Sequence, residues 1–171
     1  MSEALSIVEQ IIKEHQQINV GLKASEKLSN DLVILVEFDD HIESFVQRRL
    51  DDQKQKLADL KQSVEMIDKM LNGHFKGEET RLLKAFEDSG QKMLINALSL
   101  LLEEHREIRN RIAKLKTSVD DLSSEGTSLE VWEGKAYAVR AYIRHTQKLI
   151  EAHADTENDL LKRLKKKLAA S

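Results

Sequence analysis

Apolar residues recur along most of this chain at the three- and four-residue spacing of an amphipathic helix. Four such faces occur, and their members are Val8, Ile11, Ile12, His15, Ile18 and Leu22; Leu57, Leu60, Val64, Ile67, Leu71, His74 and Glu78; Leu98, Leu101, Leu102, His105, Ile108 and Ile112; and Tyr142, Leu149, Ile150, His153, Glu157, Leu160, Leu161 and Leu164. The sequence contains no proline, so nothing forces these helices to stop. The pattern predicts four long helices, the last running from about Ser128 to Leu168.

Three stretches of polar residues and glycine predict breaks between helices. Asp88-Ser89-Gly90 separates the two halves of the chain, with Gly90 at the position after the helix end. The segment 118–128 is rich in serine, aspartate and glycine and predicts a loop. Ser29-Asn30-Asp31 predicts a helix stop followed by a new N-cap.

The two halves of the chain carry the same motifs in the same order. Each begins with Glu-His-x-x-Ile, at Glu14 and Glu104, and ends with His-x-x-x-Glu followed by Leu-Leu-Lys, at His74 and His153. A repeat of this kind predicts two helical hairpins related by a pseudo-twofold axis. Closed together, they form an all-α, antiparallel four-helix bundle, a fold that builds metal sites in its core.

The first half is longer than the second. The interval from His15 to His74 is 59 positions, against 48 from His105 to His153, which leaves 11 extra residues in the first half. We assign them to 29–50, within a single domain over 1–171, as either an extra short helix or a lengthening of the first two helices. Because this segment is rich in apolar residues, it is also a candidate contact with a second copy of the chain.

Histidine and glutamate occupy positions in these apolar faces where a hydrophobic residue is expected. Residues four apart on a helix lie about 40° apart around the axis and about 6 Å apart along it, so each His-x-x-x-Glu motif directs an imidazole and a carboxylate into one space. A buried carboxylate without a partner costs several kcal/mol. A cation removes that cost. The alternative is that Glu78 and Glu157 pair with Arg109, Arg144 or lysines at a solvated end of the bundle.

The number of candidate ligands favours two metal ions. Imidazole and carboxylate suit iron, manganese, zinc, copper or nickel, and affinity alone does not choose among them. Four imidazoles and two carboxylates are too many for one tetrahedral zinc, whereas two carboxylates can bridge two ions about 3.5–4 Å apart. By symmetry, His15 and His74 would serve one ion, and His105 and His153 the other.

Composition excludes several other functions. There is no cysteine, which excludes disulfides, iron–sulfur clusters and thiol catalysis, and the formal net charge of −3 makes neither nucleic acid nor an anionic membrane an expected partner. The N-terminus lacks the basic and apolar regions of a signal peptide, and no stretch has the apolar length of a membrane span. We therefore expect a cytoplasmic protein.

Taken in order, the four motifs resemble the hemerythrin-like, HHE cation-binding family, over about 1–28 and 55–168. The resemblance implies a four-helix bundle with a non-heme centre of two iron ions as cofactor. It implies terminal iron ligands at His15, His74, His105 and His153, and bridging carboxylates at Glu78 and Glu157. The oxygen-carrying hemerythrins have a fifth histidine one turn after the third ligand. Here Arg109 occupies that position, so one ion would have one imidazole fewer.

Three functions follow from these expectations. The first is a di-iron protein that binds, senses or stores a small species, namely oxygen, nitric oxide, peroxide or iron itself. The second is a di-iron redox enzyme that acts on oxygen, peroxide or nitric oxide, although the sequence identifies no catalytic residue beyond the metal ligands. The third is a structural or interaction bundle with a vestigial metal site.

Overall fold

A computed structural model of the chain describes residues 3–37, 46–123 and 128–170. In chain order the elements are α1 (Glu3–Glu37), α2 (Val46–Gly77), a π-helical turn (Glu78–Leu82), α3 (Leu83–Asp88), α4 (Lys92–Asp121) and α5 (Leu129–Ala169). The π-helical turn and α3 continue directly from α2. The predicted all-α fold is confirmed.

The long helices form a closed ring of four. Helix α1 packs against α2 and α5, and α4 packs against the same two neighbours. The direction of packing is visible in the polar contacts between α1 and α2, where Glu14 meets His74 and Ser25 meets Ser63. Because the residue numbers rise on one helix as they fall on the other, the pair is antiparallel, as the bundle prediction requires.

The core consists of three buried apolar clusters arranged along the bundle. One cluster contains Ile11, Leu101 and Leu161, and the next contains Ile18, Ile108 and Ile150. The third, farther along, contains Leu32, Leu115 and Val139. On α1, α4 and α5 the predicted ligands fall between the first two clusters in the sequence, so a polar layer lies between two apolar layers.

The ends of the helices mostly follow the predicted signals. Gly90 has φ of 67°, in the left-handed region, so its turn between α3 and α4 favours glycine. The side chain of Ser128 caps α5 by accepting a hydrogen bond from the Val131 backbone N–H at 3.4 Å. The loop predicted from residue 118 begins later, because α4 continues to Asp121 with Val119 buried in the core.

The predicted break at Ser29-Asn30-Asp31 is wrong. Helix α1 passes through it to Glu37, and the Ser29 hydroxyl donates to the Glu26 carbonyl within the helix at 2.8 Å. Leu32 and Val33, just beyond, are about 1 % exposed, so their burial outweighs the weak helix preference of the preceding residues. Within 29–50, the described residues therefore lengthen α1 and α2, while 38–45 lie outside the described residues.

The Leu-Leu-Lys sequences that close the two motifs are not in equivalent positions. This sequence begins four residues after Glu78 but three residues after Glu157. The fully buried leucines four residues after each glutamate are Leu82 and Leu161, both 0 % exposed, and these are the structural counterparts. The helix is locally widened to a π-helix only after Glu78, whereas α5 is unbroken past Glu157.

None of the helices described has the length and apolarity needed to cross a bilayer.

Candidate metal centre

All six residues predicted as metal ligands lie together in one buried layer. Their exposed fractions do not exceed 8 %, and they are His15, His74, Glu78, His105, His153 and Glu157. Each of the four long helices contributes a histidine to this layer. The alternative that Glu78 and Glu157 sit at a solvated end of the bundle is wrong, because both carboxylates are buried.

The six residues form two groups that share one carboxylate. In the first group, ligand atoms of His15, His74, Glu78 and Glu157 lie within 4.8 Å of one another. In the second group, the same holds for Glu78, His105 and His153. The pairing of histidines is the one expected from the repeat, whereas Glu157 belongs to the first group alone.

Glu78 reaches both groups because its two carboxylate oxygens point in different directions. Its Oε1 contacts Nε2 of His74 and lies 3.6 Å from Nε2 of His15. Its Oε2 lies 3.0 Å from Nε2 of His105. This residue opens the π-helical turn, a local widening found often at functional sites. Glu78 therefore contacts histidines of both groups.

Every imidazole is held on its outer side by a polar side chain of a neighbouring helix. Nδ1 of His74 lies 2.8 Å from Glu14, and Nδ1 of His153 lies 2.8 Å from Glu104. The other two outer contacts join Nδ1 of His105 to Glu79 at 2.9 Å and Nδ1 of His15 to Asn158 at 3.1 Å. Ionised carboxylates and amide oxygens only accept, so each Nδ1 donates its hydrogen.

With hydrogen on Nδ1, each neutral imidazole presents an unprotonated Nε2 to the interior. These nitrogens face carboxylate oxygens, and Nε2 of His105 faces Nε2 of His153 at 3.2 Å. Both oxygens of Glu78 and Oε1 of Glu157 are buried without a hydrogen-bond partner. Lone pairs that face lone pairs at these distances require a cation or an extra proton between them. Outer partners on Nδ1 are the usual arrangement for metal-binding histidines, so these residues fit a metal site.

Protons are the competing occupant of the same positions. Burial lowers the pKa of His15, but the carboxylate of Glu157, 3.0 Å from its Nε2, and the nearby carboxylate of Glu78 outweigh burial and raise the pKa to about 10. Burial raises the pKa of Glu78, but the imidazoles of His105, His15 and His74 hold that pKa well below its usual range. Burial raises the pKa of Glu157 and lowers that of His153. Metal binding at this layer must therefore displace protons.

The second group is covered by an aromatic ring and a guanidinium. The Phe75 ring stacks on His105 with ring centroids 3.8 Å apart, and the Arg109 guanidinium lies 5.2 Å from the Phe75 ring centroid. Arg109 also donates two hydrogen bonds to Glu79, at 2.8 and 3.1 Å. Arg109 occupies the position where the oxygen-carrying hemerythrins have a fifth histidine. Here it binds the carboxylate of Glu79, which holds the outer nitrogen of His105.

The outer partners are the functional residues that sequence reasoning assigned least well. Glu14 and Glu104 each precede a ligand on their own helix, and spacing along a single helix predicts no contact between them and another ligand. In the structure each holds the histidine of the next helix. The repeated Glu-His and His-x-x-x-Glu-[Glu/Asn] sequences were the available signal, since an acid or amide adjoins a ligand in all four motifs.

Helix bundles build metal sites from side chains on facing helices, and this core brings together four imidazoles and two carboxylates in that way. The family profile of the hemerythrin HHE cation-binding domain matches residues 6–164. The chain belongs to this family. Comparison with curated proteins and with solved structures gave no significant match.

Proposed function

We propose that this chain holds two iron ions and uses them to bind, sense or store a small species, namely oxygen, nitric oxide, peroxide or iron itself. One observation carries the proposal. Four inward imidazole nitrogens converge on buried carboxylate oxygens that have no hydrogen-bond partner, and each imidazole is oriented by an outer acceptor. Membership of a cation-binding family supports the same conclusion.

Each residue has a defined task in this proposal. His15, His74 and Glu157 would hold the first ion, His105 and His153 would hold the second, and Glu78 would contribute to both. The outer acceptors keep hydrogen on Nδ1, so that the inward nitrogen remains a ligand. When bound, iron supplies reversible redox chemistry and coordination positions for a small ligand.

A redox enzyme that acts on oxygen, peroxide or nitric oxide is the second candidate, and one feature favours it. The second group offers three residues against four in the first, which leaves coordination positions for a reactant. Steady-state consumption of one of these oxidants by iron-loaded protein would support it. Binding in a stoichiometric amount without turnover would favour the first candidate.

The test of the proposed function is elemental analysis of untagged protein, with visible spectra during anaerobic reduction and return to air. About two irons per chain, with absorption bands that bleach on reduction and recover in air, are expected for two coupled ions. Metal well below this ratio that cannot be restored would contradict the proposal. A melting temperature unchanged by iron or chelator would then favour the structural bundle, because a ligand of the native state must stabilise it.

The other predictions from the sequence remain untested. A contact with a second copy through 29–50, the absence of nucleic-acid and membrane partners, and a cytoplasmic location are expectations. Size-exclusion chromatography with light scattering tests the first of these directly.

A further inference from the structure

Arg109 shares a carboxylate oxygen with one of the candidate ligand histidines. Its Nη1 donates to Oε1 of Glu79 at 2.8 Å, and Nδ1 of His105 donates to the same oxygen at 2.9 Å. The other guanidinium nitrogen, Nη2, donates to Oε2 of Glu79 at 3.1 Å. Forked pairs of this kind are among the stronger hydrogen-bonded contacts in proteins. The arginine and the histidine therefore draw on the charge of one carboxylate.

A second contact fixes the position of the guanidinium. Its central carbon lies 5.2 Å from the centroid of the Phe75 ring, and that ring stacks on His105 with centroids 3.8 Å apart. The side chains of Arg109 and Glu79 are each 37 % exposed, and at such exposure an ion pair with a single contact contributes little order. The fork to Glu79 and the contact with Phe75 together hold the positive charge close to His105.

The first ligand group also has an arginine among its outer contacts, but a neutral residue separates it from the carboxylate. Glu14 binds Nδ1 of His74 through Oε2 and accepts from the amide of Gln10 through Oε1, each at 2.8 Å. Arg81 donates to the amide oxygen of Gln10 at 2.9 Å. In this group the histidine and the arginine do not share an oxygen, so the molecule contains its own comparison.

A carboxylate that accepts from a guanidinium has less negative charge to offer to a second donor. An anionic outer partner strengthens an imidazole as a metal ligand, because it attracts the hydrogen on Nδ1. On Glu79 that attraction is shared with Arg109. We propose that Arg109 is a positioning residue of the second ligand group, which acts through Glu79 to make His105 a weaker donor and so favours the lower oxidation state of an ion bound there. The inference rests on the proposed function, but its first test needs only a divalent metal.

Cobalt(II) titration of the metal-free protein, followed by visible absorbance, tests the proposal without iron. Arg109→Gln releases Glu79 and removes a positive charge, so one of the bound cobalt ions should be held about threefold to tenfold more tightly than in wild type. A merely structural role predicts the opposite sign, because the loss of a support loosens a site. Weaker or unchanged cobalt binding in Arg109→Gln would overturn the inference.

Arg81→Gln is the matched control, because it removes an arginine whose contact with the layer passes through Gln10. Its cobalt affinities should stay within about twofold of wild type. A gain equal to that of Arg109→Gln would reveal a general effect of net charge and would contradict the inference. Arg109→Met keeps the aliphatic stem and loses the charge. It should give the same gain in affinity and replaces the glutamine variant if that variant does not fold.

The route through Glu79 has a test of its own. In a Glu79→Gln background, Arg109→Gln should change the cobalt affinities by less than about twofold, because the shared carboxylate is gone. An undiminished gain in that background would mean that the guanidinium acts through space, and it would overturn the proposed route.

Iron-loaded protein supplies a second readout. In a spectroelectrochemical titration, Arg109→Gln should favour the oxidised state of one iron by up to about tenfold, a fall of about 59 mV for one electron, and leave the other near its wild-type potential. Two unchanged potentials would contradict the inference. Wild-type protein that binds cobalt but not iron would refute the proposed function, and the cobalt affinities would still decide the role of Arg109. Wild-type protein that binds neither metal would overturn both.

Discussion

The two ligand groups come from the same repeated motifs, yet they differ in two respects. The first group has Glu157 as an additional carboxylate, and the second has none besides the shared Glu78. The outer partner is the neutral Asn158 in the first and the charged Glu79, bound to Arg109, in the second. The repeat therefore fixes the histidines symmetrically, while single residues beside them make the two positions chemically different.

Because of this difference, the two groups can have separate roles: one holds an ion firmly, and the other leaves room for a ligand. In a symmetric site both groups would have to do both. The group with more protein ligands is suited to hold an ion firmly. In the proposed centre, the group with fewer ligands would keep coordination positions open, and its histidines His105 and His153 both have carboxylates on their outer nitrogens. An anionic outer partner makes an imidazole a stronger donor to metal. We expect the two iron ions of the proposed centre to differ in affinity and in reduction potential.

The largest effect is expected from the two inner carboxylates. Glu78→Gln removes the residue common to both groups and should weaken the binding of both ions by at least about 100-fold, more than the loss of an outer partner does. Glu157→Gln changes the first group alone. This variant should therefore retain about one ion per chain, bound by the second group. Metal content after equilibrium dialysis measures both. Equal losses in the two variants would show that the groups are not distinguished by Glu157.

The apolar layer beside the site should show no such asymmetry. Leu82 and Leu161 are counterparts in the two halves and both are 0 % exposed. Leu82→Ala and Leu161→Ala should each lower the free energy of unfolding by about 2–5 kcal/mol. Urea denaturation of metal-free protein measures the change. A much smaller loss at Leu82 would mean that the π-helical turn relaxes to fill the space, and that the asymmetry extends into the core.

The outer partners should have a smaller and more local effect. Glu79→Gln should weaken the second ion by about 10–100-fold and leave the first unchanged, because Glu79 contacts His105 and none of the first group's histidines. Competition with a chromophoric chelator gives the two affinities. Asn158→Asp is the complementary variant and should strengthen the first ion. A loss shared equally by both ions in Glu79→Gln would point to a general change in the bundle.

The smallest effect is expected at Gly73 and Ala152, which precede His74 and His153. Both are exposed, and a side chain added at Gly73 would meet no atom within 4 Å. Gly73→Ala should raise the free energy of unfolding by about 0.5–1 kcal/mol, and Ala152→Gly should lower it by a similar amount. Thermal denaturation monitored by circular dichroism is sufficient. Destabilisation by Gly73→Ala would indicate that glycine is needed there for a reason other than helix stability.

The ligand set could be predicted from sequence because it depends on spacing within single helices. A histidine and a glutamate four apart share one face whatever the helix packs against. The outer partners could not be placed in this way, because Glu14 holds a histidine on α2, and that contact depends on how two helices are rotated against each other.

The length of α1 shows a different limit of prediction from sequence. Ser29, Asn30 and Asp31 have local preferences for caps and turns, and these preferences predicted a break. Burial of Leu32, in the third apolar cluster, and of Val33 stabilises a continuous helix instead. Local preference of a fraction of a kcal/mol per residue is outweighed by burial of large side chains, at about 1.5–3 kcal/mol each.

Mössbauer spectroscopy of protein reconstituted with iron-57 tests the central claim most directly, because it counts iron environments as well as iron. At about two irons per chain, the account predicts two quadrupole doublets of equal area in the reduced protein, one for each ligand group. Glu157→Gln should selectively diminish one of them. A single doublet at full loading, or binding of only one iron per chain, would contradict the claim that two unlike ions share Glu78.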